Sequence, residues 1–244
     1  MLILAIIVIF VTITHTLFGA GILTLGTPIM LILGYNFTQI STYLLPISFF
    51  ISLKIVKQDF IELKNEKIIK YFVFYTLPLG ILFSYLSFSL KSPPILKLIV
   101  SLFLIIVGLT RLKGKYHHSF SQMIKRIGFI SYPLIGATQG FTNMGGALLI
   151  PLIASMELPK IKSRAIFSFF FALFAGTQLV MLKITGNNIF SLELILFLGL
   201  AFVTNIVCEK YLFHRLKAQT YFHLLTGLIL VNAFILLTQY LHLI

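Results

Sequence analysis

The chain has 244 residues, 59% of them hydrophobic and only 10% charged, with a mean hydropathy of +1.03. A soluble domain averages about 45–50% apolar and about 25% charged residues, so this composition cannot cover a water-facing surface and reads as an integral membrane protein. The net charge of +13 does not point to nucleic acid, because the basic residues sit between apolar runs, where membrane topology accounts for them.

The single Cys208 excludes an intramolecular disulfide framework and a Cys-rich metal cluster. Met1 to Phe18 lacks a basic leader and a small-residue cleavage site, so it is expected to belong to the folded protein.

In chain order, the first apolar stretch, 1–34, is too long for one span. It is interrupted by Gly19-Ala20-Gly21, with Gly26 and Pro28 beyond. Three spans are expected next, over 38–54, 68–89 and 93–112, each long enough to cross about 30 Å of hydrocarbon. A basic loop occupies 113–126. A second broken stretch, 127–157, is interrupted between Gly140 and Gly146, with Pro151 beyond, and spans are expected over 161–183, 189–208 and 218–243. Glycine and proline at mid-depth have no place in an uninterrupted membrane helix.

Basic residues orient these spans. Loop 54–70 holds Lys54, Lys57, Lys64, Lys67 and Lys70, and loop 111–126 holds Arg111, Lys113, Lys115, Lys125 and Arg126. Residues 157–164 add Lys160, Lys162 and Arg164, and residues 209–217 add Lys210, Arg215 and Lys217. Sixteen of the nineteen basic residues thus fall in four regions, which the positive-inside rule makes cytoplasmic. Segment 127–157 then starts and ends inside, as a re-entrant hairpin or as two short spans. If segment 1–34 also returns to its starting side, both termini lie outside.

The two halves match. Broken segments start near 1 and 127, and later helices near 38 and 161, 68 and 189, 93 and 218; Thr14-His15 falls on Thr138-Gln139 and Pro28 on Pro151. The expected fold is therefore all-α and polytopic: two inverted repeats, 1–112 and 127–244, each with one broken segment plus three helices, about eight membrane segments in all. Inverted repeats with paired broken helices are the pattern of a secondary transporter with its substrate at the midplane.

The break motifs carry the expected chemistry. Glycines let the backbone leave helical geometry, and the half-helix beyond presents free N–H groups and a positive dipole end that attract an anion. The candidate substrate-binding set is Gly19, Ala20, Gly21, Thr14 and His15 at the first break, and Gln139, Thr142, Asn143, Gly145 and Gly146 at the second. Close helix packing is the plainer role for such glycines. His15 either binds an anion, carries a proton, or is hydrogen-bonded within the bundle. Arg164 either draws anions into the cavity, which adds it to the set, or reaches lipid phosphate. Glu193 suits the positive end of its helix, and His117-His118 fall in an exposed loop. Phe167, Phe169, Phe170, Phe171 and Phe174 read as packing and lipid-facing residues, and Ala172 with Gly176 as a small-residue step for helix contact.

At these motifs the sequence resembles the TauE/SafE sulfite exporter family. Gly19, Gly21 and Pro28 look like its Gly-x-Gly with proline seven residues on, and Gly145-Gly146 like its second glycine pair. Leu158-Pro159-Lys160-Ile161-Lys162-Ser163-Arg164-Ala165 is similar to its link into the next helix, and the likeness extends over essentially the whole chain. Asn143-Met144 stand where many members carry another glycine. The resemblance implies transport of a small sulfur-containing anion, such as sulfite or an organosulfonate, across the plasma membrane. Expected partners are that anion and the lipid bilayer, with a homodimer left open, and no cofactor or metal. An intramembrane enzyme lacks parts: there is no His-Glu-x-x-His, no Gly-x-Ser-x-Gly and no cluster of acids. A carrier of another small anion or of a cation, and a non-transporting partner subunit, are the alternatives.

Overall fold

A computed structural model describes residues 1–63, 67–89, 117–156, 158–187 and 191–217, with isolated positions between 220 and 237. The described residues are helical throughout, joined by short turns. The expected span over 93–112 lies outside them, and that over 218–243 is described only at isolated positions, all helical.

The first broken stretch is two helices, α1 (Leu2–Phe18) and α2 (Ile22–Ile32), separated at Gly19-Ala20-Gly21. A Cβ built on Gly26 would lie 3.6 Å from Val11, so α2 runs back alongside α1. Helix α3 (Phe37–Gln58) starts at a capping box, in which the Gln39 N–H donates to Asn36 Oδ1 at 2.8 Å and the Asn36 N–H to Gln39 Oε1 at 3.1 Å. Helix α4 (Lys67–Ser89) contains one π-helical stretch, Phe72–Thr76.

The second broken stretch is α5 (His117–Thr142) and α6 (Gly146–Ala154). Two expectations shift here. His117 and His118 lie on α5, not in a loop, because charge marks the membrane boundary and does not end a helix. Gly140 also stays helical, so the break is confined to Asn143-Met144-Gly145. Gly140 has a packing role: a Cβ there would lie 2.7 Å from the Gly80 carbonyl oxygen, so α5 and α4 touch backbone to backbone. Helices α7 (Lys160–Ile184) and α8 (Leu192–Phe213) follow. Ser191 caps α8, accepting from the Leu194 N–H at 3.1 Å.

Helices α3, α4, α7 and α8 are each long and apolar enough to cross a membrane. Of their apolar windows, 56% of α3 and 61% of α7 is buried, against 28% of α4 and 33% of α8. So α3 and α7 form the central pair, and α4 and α8 turn apolar side chains such as Phe74, Leu82, Ile195 and Val203 outward, as lipid requires. The central pair is antiparallel: Arg164 near the start of α7 meets Asp59 just past the end of α3, and Gly176 further along faces Phe49. Gly176 therefore does serve a helix contact, and Ala172 is buried. Phe167, Phe170, Phe171 and Phe174 are buried, and Phe72 stacks on Phe170 with ring centres 3.8 Å apart.

Packing partners come in matching pairs. Helix α1 lies on α8 as α5 lies on α4, α2 on α3 as α6 on α7, and α4 on α7 as α8 on α3.

Candidate functional site

Both breaks end a helix with one left-handed residue. Gly19 has φ 72°, and its N–H donates to the His15 carbonyl at 2.7 Å; Asn143 has φ 60°, and its N–H donates to the Gln139 carbonyl at 2.9 Å. The breaks sit at opposite ends of the central pair. Around the first are Ser52 of α3 and Arg164, Phe167 and Ser168 of α7; around the second are Ser41 of α3 and Gln178 of α7. A Cβ at Gly19 would collide with the Arg164 carbonyl oxygen and lie 2.7 Å from Phe167 Cβ, so this position needs glycine for space as well as for its dihedral angles.

From the two breaks, α2 and α6 run back toward each other. Their first turns meet: a Cβ at Gly146 would collide with Thr24 Oγ1 and with the Phe171 ring. No side chain caps α2, so its first-turn N–H groups keep their dipole charge. The start of α6 is partly filled. The Gly145 N–H donates to Gln139 Oε1 at 3.0 Å and the Met144 N–H to Thr142 Oγ1 at 3.2 Å.

Buried hydroxyl and imidazole atoms without partners occur on the helices around this meeting point, as they also do at Thr12, Thr76 and Thr138. Thr24 Oγ1 and Thr27 Oγ1 of α2, Ser48 Oγ of α3, Ser168 Oγ of α7 and His15 Nδ1 are buried and unmatched. Unpaired buried polar atoms are rare and costly, about 1–3 kcal/mol each. Of these, the Thr24 hydroxyl lies at the meeting point itself and the Ser168 hydroxyl beside Gly19. His15, Thr24, Thr27, Ser48 and Asn143 are all 0% exposed, so the site is closed to solvent in this conformation.

Of the eleven expected site residues, ten lie at the breaks or within one turn of them. Gly19, Ala20 and Gly21 form the first turn-out, with His15 held to Ser52 at 2.8 Å through Nε2. Gln139 and Asn143 belong to an amide chain: Gln139 Nε2 donates to Gln178 Oε1 at 3.0 Å, Gln178 Nε2 to Asn143 Oδ1 at 2.7 Å, and Asn143 Nδ2 to Ser41 Oγ at 3.1 Å. Thr14 and Thr142 hydroxyls return to their own helices, donating to Val11 and Thr138 carbonyls at 2.8 and 2.7 Å. Thr24, Thr27, Ser48, Ser52 and Gln178 were not singled out by sequence. Ser48 and Ser52 are one turn apart on an apolar helix, and that spacing was the available signal.

Arg164 meets the first break through its backbone, while its side chain is engaged elsewhere. It is 1% exposed, and its guanidinium donates to Asp59 at 2.6 and 2.9 Å and to Glu209 at 3.1 Å, while lying 3.6 Å from the centre of the Phe213 ring. Its charge is thus occupied by two carboxylates. Lys54 joins the network through Glu209 at 3.3 Å and through Asn205. Burial pushes the Asp59 carboxyl above the usual carboxylate range, against the pull of Arg164. These side chains line a pocket of about 620 Å³ with Gln58, Ile206, Lys210 and His214, where the ends of α3 and α8 meet the start of α7. At the other end of α3, Tyr43 Oη donates to Glu193 at 2.8 Å.

Among the described residues no three His, Cys, Asp or Glu side chains converge as metal ligands would. Neither the curated proteins nor the solved structures gave a match to the chain. The family model described as sulfite exporter TauE/SafE does match, over residues 3–236, and with nearly the whole length covered the chain belongs to that membrane transporter family.

Proposed function

We propose that the chain is a secondary transporter for a small anion, sulfite or an organosulfonate, working by alternating access around the two helix breaks. The observation that carries this reading is the meeting of α2 and α6 at Thr24 and Gly146, where the Thr24 hydroxyl is buried without a partner and Phe171 links Gly146 to the His15 ring. Amide N–H groups and hydroxyls are donors, and an oxyanion is the guest that uses them all. No acidic side chain stands on α1, α2, α5 or α6 to repel it.

The inverted-repeat architecture belongs to the same proposal. It is supported by the paired packing of helices, and by two left-handed break residues at positions 19 and 143, matching the offset of the halves. A site closed to water must open to each face in turn, and rocking one repeat against the other would do this. With the basic pocket facing the cytoplasm, both termini lie outside a plasma membrane.

Purified protein tests the reading. Sulfite, an alkanesulfonate or thiosulfate at about a hundred times its Kd should add roughly 2.7 kcal/mol to folding stability, seen as a raised melting temperature. Proteoliposomes should carry the stabilising anion. Gly146→Leu drives a side chain into Thr24 and should abolish flux while the protein still inserts. An absence of any anion-dependent shift, together with no flux, would refute the proposal.

A further inference from the structure

We propose that His15 is a proton site coupled to the helix breaks, so that one proton binds and travels with each anion; this rests on the reading of the breaks as an anion site. His15 is the only ionisable side chain on α1, α2 and α6. It is fully buried, and its one polar side-chain partner is Ser52, at 2.8 Å from Nε2. The other ring nitrogen, Nδ1, has no partner. The ring meets Phe171 edge-on with centres 5.8 Å apart, and Phe171 also borders Gly146 at the start of α6. His15 therefore stands where the two half-helices converge.

A neutral imidazole offers one donor and one acceptor. The Ser52 hydroxyl can serve either role, so one ring nitrogen is always matched and the other always left over. Adding a proton makes both nitrogens donors: Nε2 to Ser52, and Nδ1 to whatever anion lies at the breaks. The buried and half-buried charged groups nearest the first break are paired with one another, and Lys57 of α3 and Lys183 of α7 are exposed. On α3, Lys54 is bound to Asn205 and Glu209, and just past its end Asp59 is bound to Arg164. On α7, Arg164 is held by Asp59 and Glu209. On α8, the Cys208 thiol turns to the Ile13 carbonyl at 3.8 Å, and Glu209 faces Arg164 and Lys54. On α5, Tyr132 is the ionisable residue nearest in sequence to the second break.

An imidazolium without a counter-charge is costly to bury, and so is an anion held by dipoles alone. Each supplies what the other lacks. By linkage, each raises the affinity of the other by the same factor. A monoanion then crosses with its proton as a neutral pair, and a dianion crosses with one net negative charge.

The test is calorimetric binding of methanesulfonate, which does not itself titrate near neutrality, to the purified full chain in buffers of differing ionisation enthalpy. At pH values between the pKa of His15 in the free and in the anion-bound protein, the wild type should take up about one proton per anion, with affinity falling by up to about tenfold per pH unit. His15→Gln keeps a donor for Ser52 and should bind the anion more weakly, without proton uptake and without pH dependence. His214→Gln, in the basic pocket, should leave uptake intact. Binding by the wild type with no proton exchange overturns the coupling and leaves the anion site standing. Uptake that survives in His15→Gln, or vanishes in His214→Gln, also overturns it. If wild-type protein binds neither methanesulfonate, sulfite nor thiosulfate, the anion site falls and this inference with it.

Discussion

At the first break the chain turns with glycine and leaves its donors open, whereas at the second it turns with asparagine and ties its donors up. Gly19 and Asn143 share the left-handed geometry, at φ 72° and 60°. A non-glycine residue there costs about 1–2 kcal/mol. Asn143 offsets that with two side-chain hydrogen bonds, one from Gln178 and one to Ser41, each worth about 1 kcal/mol. Glycine has no such bonds to make, so the first break is held from outside, by the α7 backbone pressed against Gly19. The difference separates two duties that one glycine motif cannot divide. The second break is an anchor satisfied within the protein, and the first leaves α2 uncapped and its threonines unmatched, ready for a guest.

The largest expected effect falls on the support of the first break. Arg164→Met leaves Asp59 without its cation and Glu209 with Lys54 alone, and removing one partner of a buried pair costs about 3–5 kcal/mol. Both carboxylates border an open pocket, which screens them and favours the lower end of that range. Thermal or denaturant unfolding in detergent should show a loss of about 3 kcal/mol, and the triple replacement Arg164→Met, Asp59→Asn, Glu209→Gln should recover much of it. Equal losses in the single and the triple variants would mean that the arginine acts only through its packing against Phe213.

The breaks were legible in sequence because glycine runs at mid-depth of an apolar stretch have few other uses. Asn143-Met144 stood out as a departure from the glycine pattern. The structure explains it, since asparagine is among the non-glycine residues that best tolerate left-handed geometry. Gly140 was misread for the opposite reason: sequence cannot tell a glycine that frees the backbone from one that admits a neighbouring helix. The fate of Arg164 was out of reach, because its partners lie 105 and 45 residues away, and a lone basic residue near a helix start reads as a lipid or anion contact. Thr24 and Ser48 were passed over because a hydroxyl on a membrane helix ordinarily bonds its own backbone. Thr14 and Thr142 do so; Thr24 and Ser48 do not.

A smaller effect separates the breaks directly. Gln139→Leu strips the Gly145 N–H of its acceptor and Gln178 of a partner, so unfolding measurements should record a loss of about 2 kcal/mol. Anion affinity should change little, because the side chain holds the anchor and not the guest.

Thr24→Val should invert that pattern. The Thr24 hydroxyl is buried without a partner, so exchanging it for a methyl of similar shape removes an unmet polar group and should leave stability unchanged or raised by up to about 1 kcal/mol. The same exchange withdraws a donor from the place where α2 and α6 meet. Titrating the anion against the melting temperature should then give an affinity several-fold to about tenfold weaker, the worth of one hydrogen bond to a charged group, about 1.5 kcal/mol. Stability lost with affinity kept would make Thr24 a packing residue. Stability kept with affinity lost would locate the guest at the glycine break, on the side where the chain has left its own donors unused.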